Sequence, residues 1–463
     1  MTSVLWLRRD LRLQDHPALV SAHGSAGTGG VLPVFVVDPQ LWHPTGRTRA
    51  LVEALESLNE TYDGALVIRH GHPADVLPRL VREVGATSVH VSRETTPYGR
   101  RRDDQVRAAL PAAVPLVATG SPYAVTPGRV LKGDGSPYRV FTPFARAWRT
   151  HGWPRPAEVP SGLRWSRGPE SDPLPTAEDV DGQSADRAVG ERQAHARWAE
   201  FLTAGVASYG EERDRADVDG TSGMSVQLHF GTIHPRTLLA DLADLDGAMS
   251  RDTGVEAFMN ELCWREFYAD VLWHDPGSAW SDLRTDLAGM VYDAPEGPHV
   301  AAWREGRTGY PFVDAGMRQL AREGWMHNRA RMVTASFLVK DLHVWWPHGA
   351  QHFMAHLRDG DIASNSHGWQ WVAGTGTDAA PYVRVFNPVL QGERFDPRGD
   401  YVRRYVPELA HVDGPAVHRP WDVPDGLAHG YPDRVVDHAA ERREALRRFA
   451  EARRTAAAPA RQN

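Results

Sequence analysis

The sequence predicts an α/β doubly wound parallel-sheet N-terminal domain followed by an all-α domain. Three observations carry this. Short apolar runs alternate with helical spacing in the first part of the chain. A stretch rich in Pro, Gly, Ser and Asp then breaks the pattern over 128–189. From residue 191 the spacing is helical, and no convincing strand pattern returns. At 463 residues the chain is long enough for more than one domain.

Residues 3–8, 31–37, 65–69 and 88–92 are apolar runs suited to parallel strands buried on both faces, and 114–118 is a weaker fifth. Between them, 47–62 and 73–84 show helical spacing. Such alternation implies right-handed crossovers and a doubly wound sheet. No G-x-G-x-x-G follows the first strand, so a ligand is expected only at the carboxyl edge of the sheet. The segment 128–190 reads as a connection wrapped over the surface, because it still carries Phe141, Phe144, Trp148 and Trp153. Helices are expected over 193–209, 235–245, 255–274, 311–323, 327–342 and 349–357, with a solvated last helix over 437–454. The expected boundaries are 1–127, 128–190 and 191–455, with a disordered tail at 456–463.

A hydrophobic content of 41% and a charged content of 24% are ordinary for a soluble globular protein. No run has the length of a membrane helix. The first residues break into charge at Arg8, Arg9 and Asp10, unlike a signal peptide. The single cysteine, Cys263, excludes an internal disulfide and a cysteine-rich zinc site. A cytoplasmic protein is the plain expectation. The net charge of −7 argues against a positive coat but allows a local basic groove.

The chemistry concentrates between Gly324 and Pro388. Nine of the sixteen tryptophans lie from Trp264 to Trp371. Leu and Ile fill a core without an N–H to satisfy, so this many indoles suggests an aromatic ligand, electron transfer or base stacking. The run Asp359-Gly360-Asp361 precedes Asn365, Trp369 and Trp371. On its own an Asp-Gly-Asp is usually a helix terminus and turn. Thr221, Ser222, Gly223, Met224 and Ser225 form a small hydroxyl-rich loop ahead of a helix, which can offer donors to a phosphate but is more often a cap. Glu261, Trp264 and Arg265 share a helix face, for which a buried Glu261–Arg265 pair under an indole is the simpler reading. His327 is more often a core histidine than a ligand. No metal spacing and no G-x-S-x-G nucleophile elbow is present.

Taken together, these motifs resemble the photolyase and cryptochrome family, and most of all its class I cyclobutane pyrimidine dimer photolyases. The resemblance begins at Leu5-Trp-Leu-Arg-Arg-Asp-Leu-Arg-Leu-Gln-Asp-His-Pro-Ala18. It continues through Trp264-Arg-Glu-Phe-Tyr, Gly309-Tyr-Pro, Gly324-Trp-Met-His-Asn-Arg and Asp359-Gly-Asp to Tyr431-Pro. It implies an α/β antenna domain and a helical domain that binds FAD. Carried over by position, Tyr209 and Thr221, Ser222, Gly223, Met224 and Ser225 hold the FAD phosphates. Phe258, where relatives can carry tryptophan, and Arg265 line the flavin site. Asn328, Arg331, Asp359, Gly360, Asp361 and Asn365 surround the isoalloxazine and its sugar chain. Arg331 supplies a cation for reduced flavin, oriented by Asp359.

The resemblance further implies light-driven repair of cyclobutane pyrimidine dimers in a flipped-out site. Glu261, Asn328, Met332 and Asn365 are its catalytic candidates. Trp264 and Trp371 clamp the lesion, with Met332 beside them, and Glu261 and Asn328 bond the pyrimidine edges. Arg213, Arg265, Arg329, Arg384 and Gln391 are the further DNA contacts. Enzymes acting on (6-4) photoproducts typically show histidines where Asn328 and Met332 stand, which favours the cyclobutane dimer. Trp369 and Trp346 match the first two tryptophans of the family's photoreduction path. The third position is Asp293, so Tyr292 beside it, or Trp345, takes that role. The segment from Glu94 to Asp103 is more like relatives with an 8-hydroxy-5-deazaflavin antenna than those with methenyltetrahydrofolate. A flavin antenna or an empty pocket are the other readings. The expected partner is UV-damaged DNA, with no membrane and no obligate protein partner, the protein acting as a monomer. A cryptochrome-type photoreceptor and a light-independent flavoprotein oxidoreductase are the competing classes.

Overall fold

In the computed structural model, residues 1–174, 176, 188–245, 253–378 and 383–457 are described. The chain forms two compact units, residues 1–210 with 222–276 and residues 211–221 with 277–463.

The first unit holds five parallel strands, β1 (Thr2–Leu7), β2 (Val31–Val37), β3 (Val67–His70), β4 (Ala86–Val91) and β5 (Leu116–Ala118). Their order is β3-β2-β1-β4-β5. The crossovers contain α1 (Pro17–Ser25), α2 (Gly46–Thr61), α3 (Pro73–Val84) and α4 (Pro97–Ala109). Side chains alternate along each strand. Leu5 and Leu7 therefore join a core with Leu19, Leu55 and Leu58. Val4 and Trp6 join another with Leu77, Leu80 and Val106. Both faces are covered, which is why the strands read as continuous apolar runs. The order reverses between β1 and β4, the switch point where such sheets take ligands. There Arg8 donates to the carbonyl of Ser92 and to Asp103.

The segment expected to be a surface connection carries α5 (Phe141–His151). Phe144 and Trp148 on it are buried. Pro143 lies in the first turn, where its missing N–H costs nothing, so the proline content hid a helix. The unit continues with α6 (Glu191–Glu200), a π-helical turn Phe201–Gly205, the short α7 (Tyr209–Glu212), whose last two residues fall in the second unit, α8 (Met224–Phe230), α9 (Pro235–Ala243) and α10 (Thr253–His274). Carboxylates of α10 pin the preceding chain: Glu266 accepts from the backbone of Ala124 and Val125 and from Trp148 Nε1, and Asp270 from Gly128.

The second unit is helical: α11 (Pro298–Glu305), α12 (Pro311–Glu323), α13 (Asn328–Ser336), a π turn Phe337–Asp341, α14 (Trp346–His356), α15 (Ile362–Ala373), α16 (Pro388–Phe395), α17 (Asp400–Tyr405) and α18 (His438–Ala457). Its core gathers Trp303, Phe312, Phe337, Trp346, Phe353 and Trp369. The last helix runs to Ala457, past the predicted end, and the remainder of the expected tail lies outside the described residues.

Candidate functional site

In the first unit an aromatic nest surrounds Phe258. Trp198, Phe201 and Tyr209 lie 5.2, 5.3 and 5.5 Å from its ring. Phe201 opens the π turn, and its carbonyl accepts from Val206 N. The loop before α8 is held by Arg197, whose Nε donates to the Ser222 carbonyl at 3.1 Å. Ser222 Oγ accepts from Met224 N, and Gly223 takes φ +70, which a side chain would resist. Ser225 is exposed at the start of α8. Thr221, half-buried, falls in the second unit.

On α10, Arg265 donates to the carbonyls of Pro122 and Leu228 and lies 4.4 Å over Tyr123. Trp264 is stacked on Phe141 at 3.7 Å with planes 5° apart. One indole face is thereby covered, and Trp264 can offer a ligand only its other face. Glu261 is half-buried on the same helix face.

In the second unit, residues 359–371 fold as a turn and helix. Asp361 is the N-cap of α15 and accepts from Ser364 N at 2.9 Å. Asn365 and Trp369 follow at successive four-residue steps and share a face with it. Asn365 Nδ2 donates to the Ala350 carbonyl at 3.0 Å. Arg331 on α13 donates to Asp359 Oδ2 at 2.9 Å and to the Met326 carbonyl at 2.8 Å. The other oxygen, Asp359 Oδ1, is buried with no partner among the described residues. Gly360 is buried in the turn between the two carboxylates. His327 caps α13, accepting from Arg329 N. Burial, then the charge of Arg329, pushes it down to about 4, so it is a neutral core histidine.

Asn328 is exposed, and its Nδ2 lies 3.9 Å from Met332 Sδ one turn on. Arg329 is engaged by both oxygens of Asp214 at 2.8 Å, a fork that fixes the direction of its guanidinium. Arg213 is half-buried. Arg384 is exposed and lies 5.4 Å over the half-buried Trp371. Gln391 sits half-buried on α16.

The indoles of the second unit differ in their N–H groups. Trp369 is buried, and its Nε1 has no acceptor among the described residues. Trp303 lies 6.3 Å from it and donates to the Thr334 carbonyl at 3.0 Å. Trp346 is fully buried and donates to Asp282 Oδ1 at 2.7 Å. Trp345, half-buried, reaches the same oxygen at 3.4 Å, and Tyr292 lies 6.3 Å from its ring.

The DNA photolyase family model matches residues 3–161, and the model described as the FAD binding domain of DNA photolyase matches 258–451. A deoxyribodipyrimidine photo-lyase from Streptomyces griseus is 41% identical, over 97% of this chain and 99% of its own length. A crystal structure of a bacterial class III photolyase from Agrobacterium tumefaciens has a TM-score of 0.88 and 33% identity, covering 98% of each chain. The Synechocystis cryptochrome follows with a TM-score of 0.87 and 26% identity, over 96% of this chain and 98% of that one. The chain belongs to the DNA photolyase family.

Three residues of this photolyase-family chain escaped the sequence reading. Phe141 backs Trp264, Asp214 holds Arg329, and Asp282 joins two indoles. Phe141 had a signal, an aromatic ring in a Pro-rich segment. The two aspartates had none, because each meets a partner more than sixty residues away.

Proposed function

We propose that this protein repairs cyclobutane pyrimidine dimers in DNA, using light and bound FAD, as a deoxyribodipyrimidine photo-lyase. The observation that carries the reading is its whole-length likeness to a protein of that name. Asp359 supports FAD as the cofactor. A buried carboxylate oxygen with no partner costs about 1–3 kcal/mol, and a ligand donor would remove that cost. FAD, when bound, supplies the excited-state electron.

Tyr209, Thr221, Ser222, Gly223, Met224, Ser225, Phe258, Arg265, Asn328, Arg331, Asp359, Gly360, Asp361 and Asn365 are the residues proposed to hold it. Arg331, its charge fixed in direction by Asp359, favours a negative ligand beside it. Glu261 and Asn328 would bond the pyrimidine edges. Trp264, Trp371 and Met332 would supply the apolar clamp, and Arg213, Arg329, Arg384 and Gln391 the backbone contacts. The residues proposed for the light-harvesting part are 1–127, with 8-hydroxy-5-deazaflavin favoured over methenyltetrahydrofolate. Those proposed for the catalytic part are 191–455, joined through 128–190. The protein is proposed to act as a monomer in the cytoplasm. Among the described residues, no helix is long and apolar enough to cross a membrane.

The test is a dimer-containing oligonucleotide illuminated with the reduced protein. Loss of dimer in blue light and none in the dark is expected; unchanged dimer under light would refute the reading. The absorption spectrum of the purified protein reports FAD and any antenna band.

A further inference from the structure

Trp369 has two indole neighbours through which an electron can reach it. Trp303 is edge-on to it at 6.3 Å. Trp346 begins α14, and Trp369 packs over Gly349 one turn along the same helix. Ring contact with Trp369, which Trp303 makes, does not by itself select Trp346.

Charge does. An indole that has lost an electron is a cation with an acidic N–H. The Trp369 N–H has no acceptor among the described residues, so no protein group there draws its proton. The Trp303 N–H meets a neutral carbonyl. The Trp346 N–H meets a carboxylate at 2.7 Å, which attracts the cation and can take its proton. The same oxygen lies 3.4 Å from the Trp345 N–H. Exposure rises outward from fully buried Trp346 to half-buried Trp345 and Tyr292.

We infer that Asp282 is a positioning residue that draws the electron vacancy away from Trp303, through Trp346 to Trp345 and Tyr292. This rests on the proposed flavin function. The balance is as follows. Trp369 gives one electron to photoexcited oxidised flavin and is itself oxidised by one. Trp346 refills Trp369, and Trp345 refills Trp346. The vacancy ends on Trp345 or Tyr292. The N–H proton of an oxidised Trp346 or Trp345 moves to the Asp282 carboxylate, and the phenolic proton of an oxidised Tyr292 goes to solvent. An external thiol then returns the electron, ending as disulfide, while the proton comes back from Asp282 or solvent.

The experiment is blue-light photoreduction of the FAD-loaded protein with thiol, followed by steady-state and transient absorption. Asp282→Asn keeps an acceptor but removes the charge. It should slow photoreduction about tenfold and lengthen the life of the indole cation signal over the neutral radical. Trp345→Phe should slow it comparably, and Trp303→Phe should leave it unchanged. In flavin-free protein oxidised by a ruthenium photosensitiser, peptide mapping should find the damage at Trp345 and Tyr292, and less of it there in Asp282→Asn. Wild-type rates and radical spectra in Asp282→Asn, or a loss in Trp303→Phe as large as in Trp345→Phe, would overturn the inference. Trp369→Phe separates the two levels: unchanged photoreduction in that variant removes the proposed electron route itself. Its loss there, with Asp282→Asn at wild-type rate, removes only the role of Asp282.

Discussion

Helix α10 and helix α15 carry the two densest motifs, and they use their polar groups in opposite ways. Within the α10 motif, residues 260–268, Arg265 and Glu266 are satisfied by the protein itself. Arg265 is spent on two carbonyls, Trp264 is stacked on Phe141, and Glu266 accepts from three donors. Around α15, Asp359 keeps a buried oxygen with no partner, and so does the N–H of Trp369, among the described residues. At the end of α10, Asp270 Oδ2 and His274 Nε2, with no hydrogen-bond partner among the described residues, lie 3.8 Å from each other. The first motif spends Arg265 and Glu266 on holding chain together. The second leaves some unspent, which a fold tolerates only where something else gains.

That contrast can be broken at Glu266. Glu266→Ala strands two buried backbone N–H groups and the Trp148 indole N–H, and should cost about 3–5 kcal/mol in urea unfolding. A loss below about 1 kcal/mol would put Glu266 outside the structural role. Asp359→Asn tests the other side. It should lower FAD retention by about tenfold while changing stability by about 1–2 kcal/mol, read by flavin absorbance beside thermal unfolding. A full flavin complement in that variant would remove the cofactor role. Glu261→Ala should keep FAD bound while repair yield falls several-fold, about 1 kcal/mol in the reacting complex. Loss of flavin there would return Glu261 to a structural role.

The smallest effect is on pH. Burial holds His16, His90, His234 and His327 down to about 4 in the folded chain. The unfolded chain protonates them near 6.5, so stability should fall as pH drops from about 6.5 to about 4. Glu266, pushed up to about 7 by burial, acts in the opposite sense over about 7 to 4.5, and Asp396, pushed up to about 6, does so at lower pH. With His348, His352 and His418 also held down by burial, and Asp270, Asp314 and Asp341 also pushed up, seven histidines against five carboxyls leave a net loss. Unfolding midpoints measured across that window should decline; a rise would show that the carboxyls dominate.

The sheet was legible because its strands are buried on both faces, so apolar runs mark them directly. Long helices such as α10 and α12 were legible from their spacing. Helix α15 was visible as chemistry before it was visible as a helix, since Asn, Ser, His, Gly and Trp are poor helix formers and the cap at Asp361 decides its start. Helix α5 was hidden by its proline, and the π turns have no local period. Asp282 and Asp214 could not be read at all, because a carboxylate that meets a distant indole or guanidinium leaves no pattern in its own neighbourhood.

Gly349 carries one more consequence. A Cβ there would run into the indole of Trp369 and into Leu338, so the outer edge of the ring, Cη2 and Cζ3, is seated against bare backbone. A ring held at its edge by Gly349 and flanked edge-to-face by Trp303 and Phe353 is restrained from tilting when its charge changes. Little of an absorbed photon is then lost to rearranging the surroundings, and the electron's direction of travel is settled by the fixed groups around each ring.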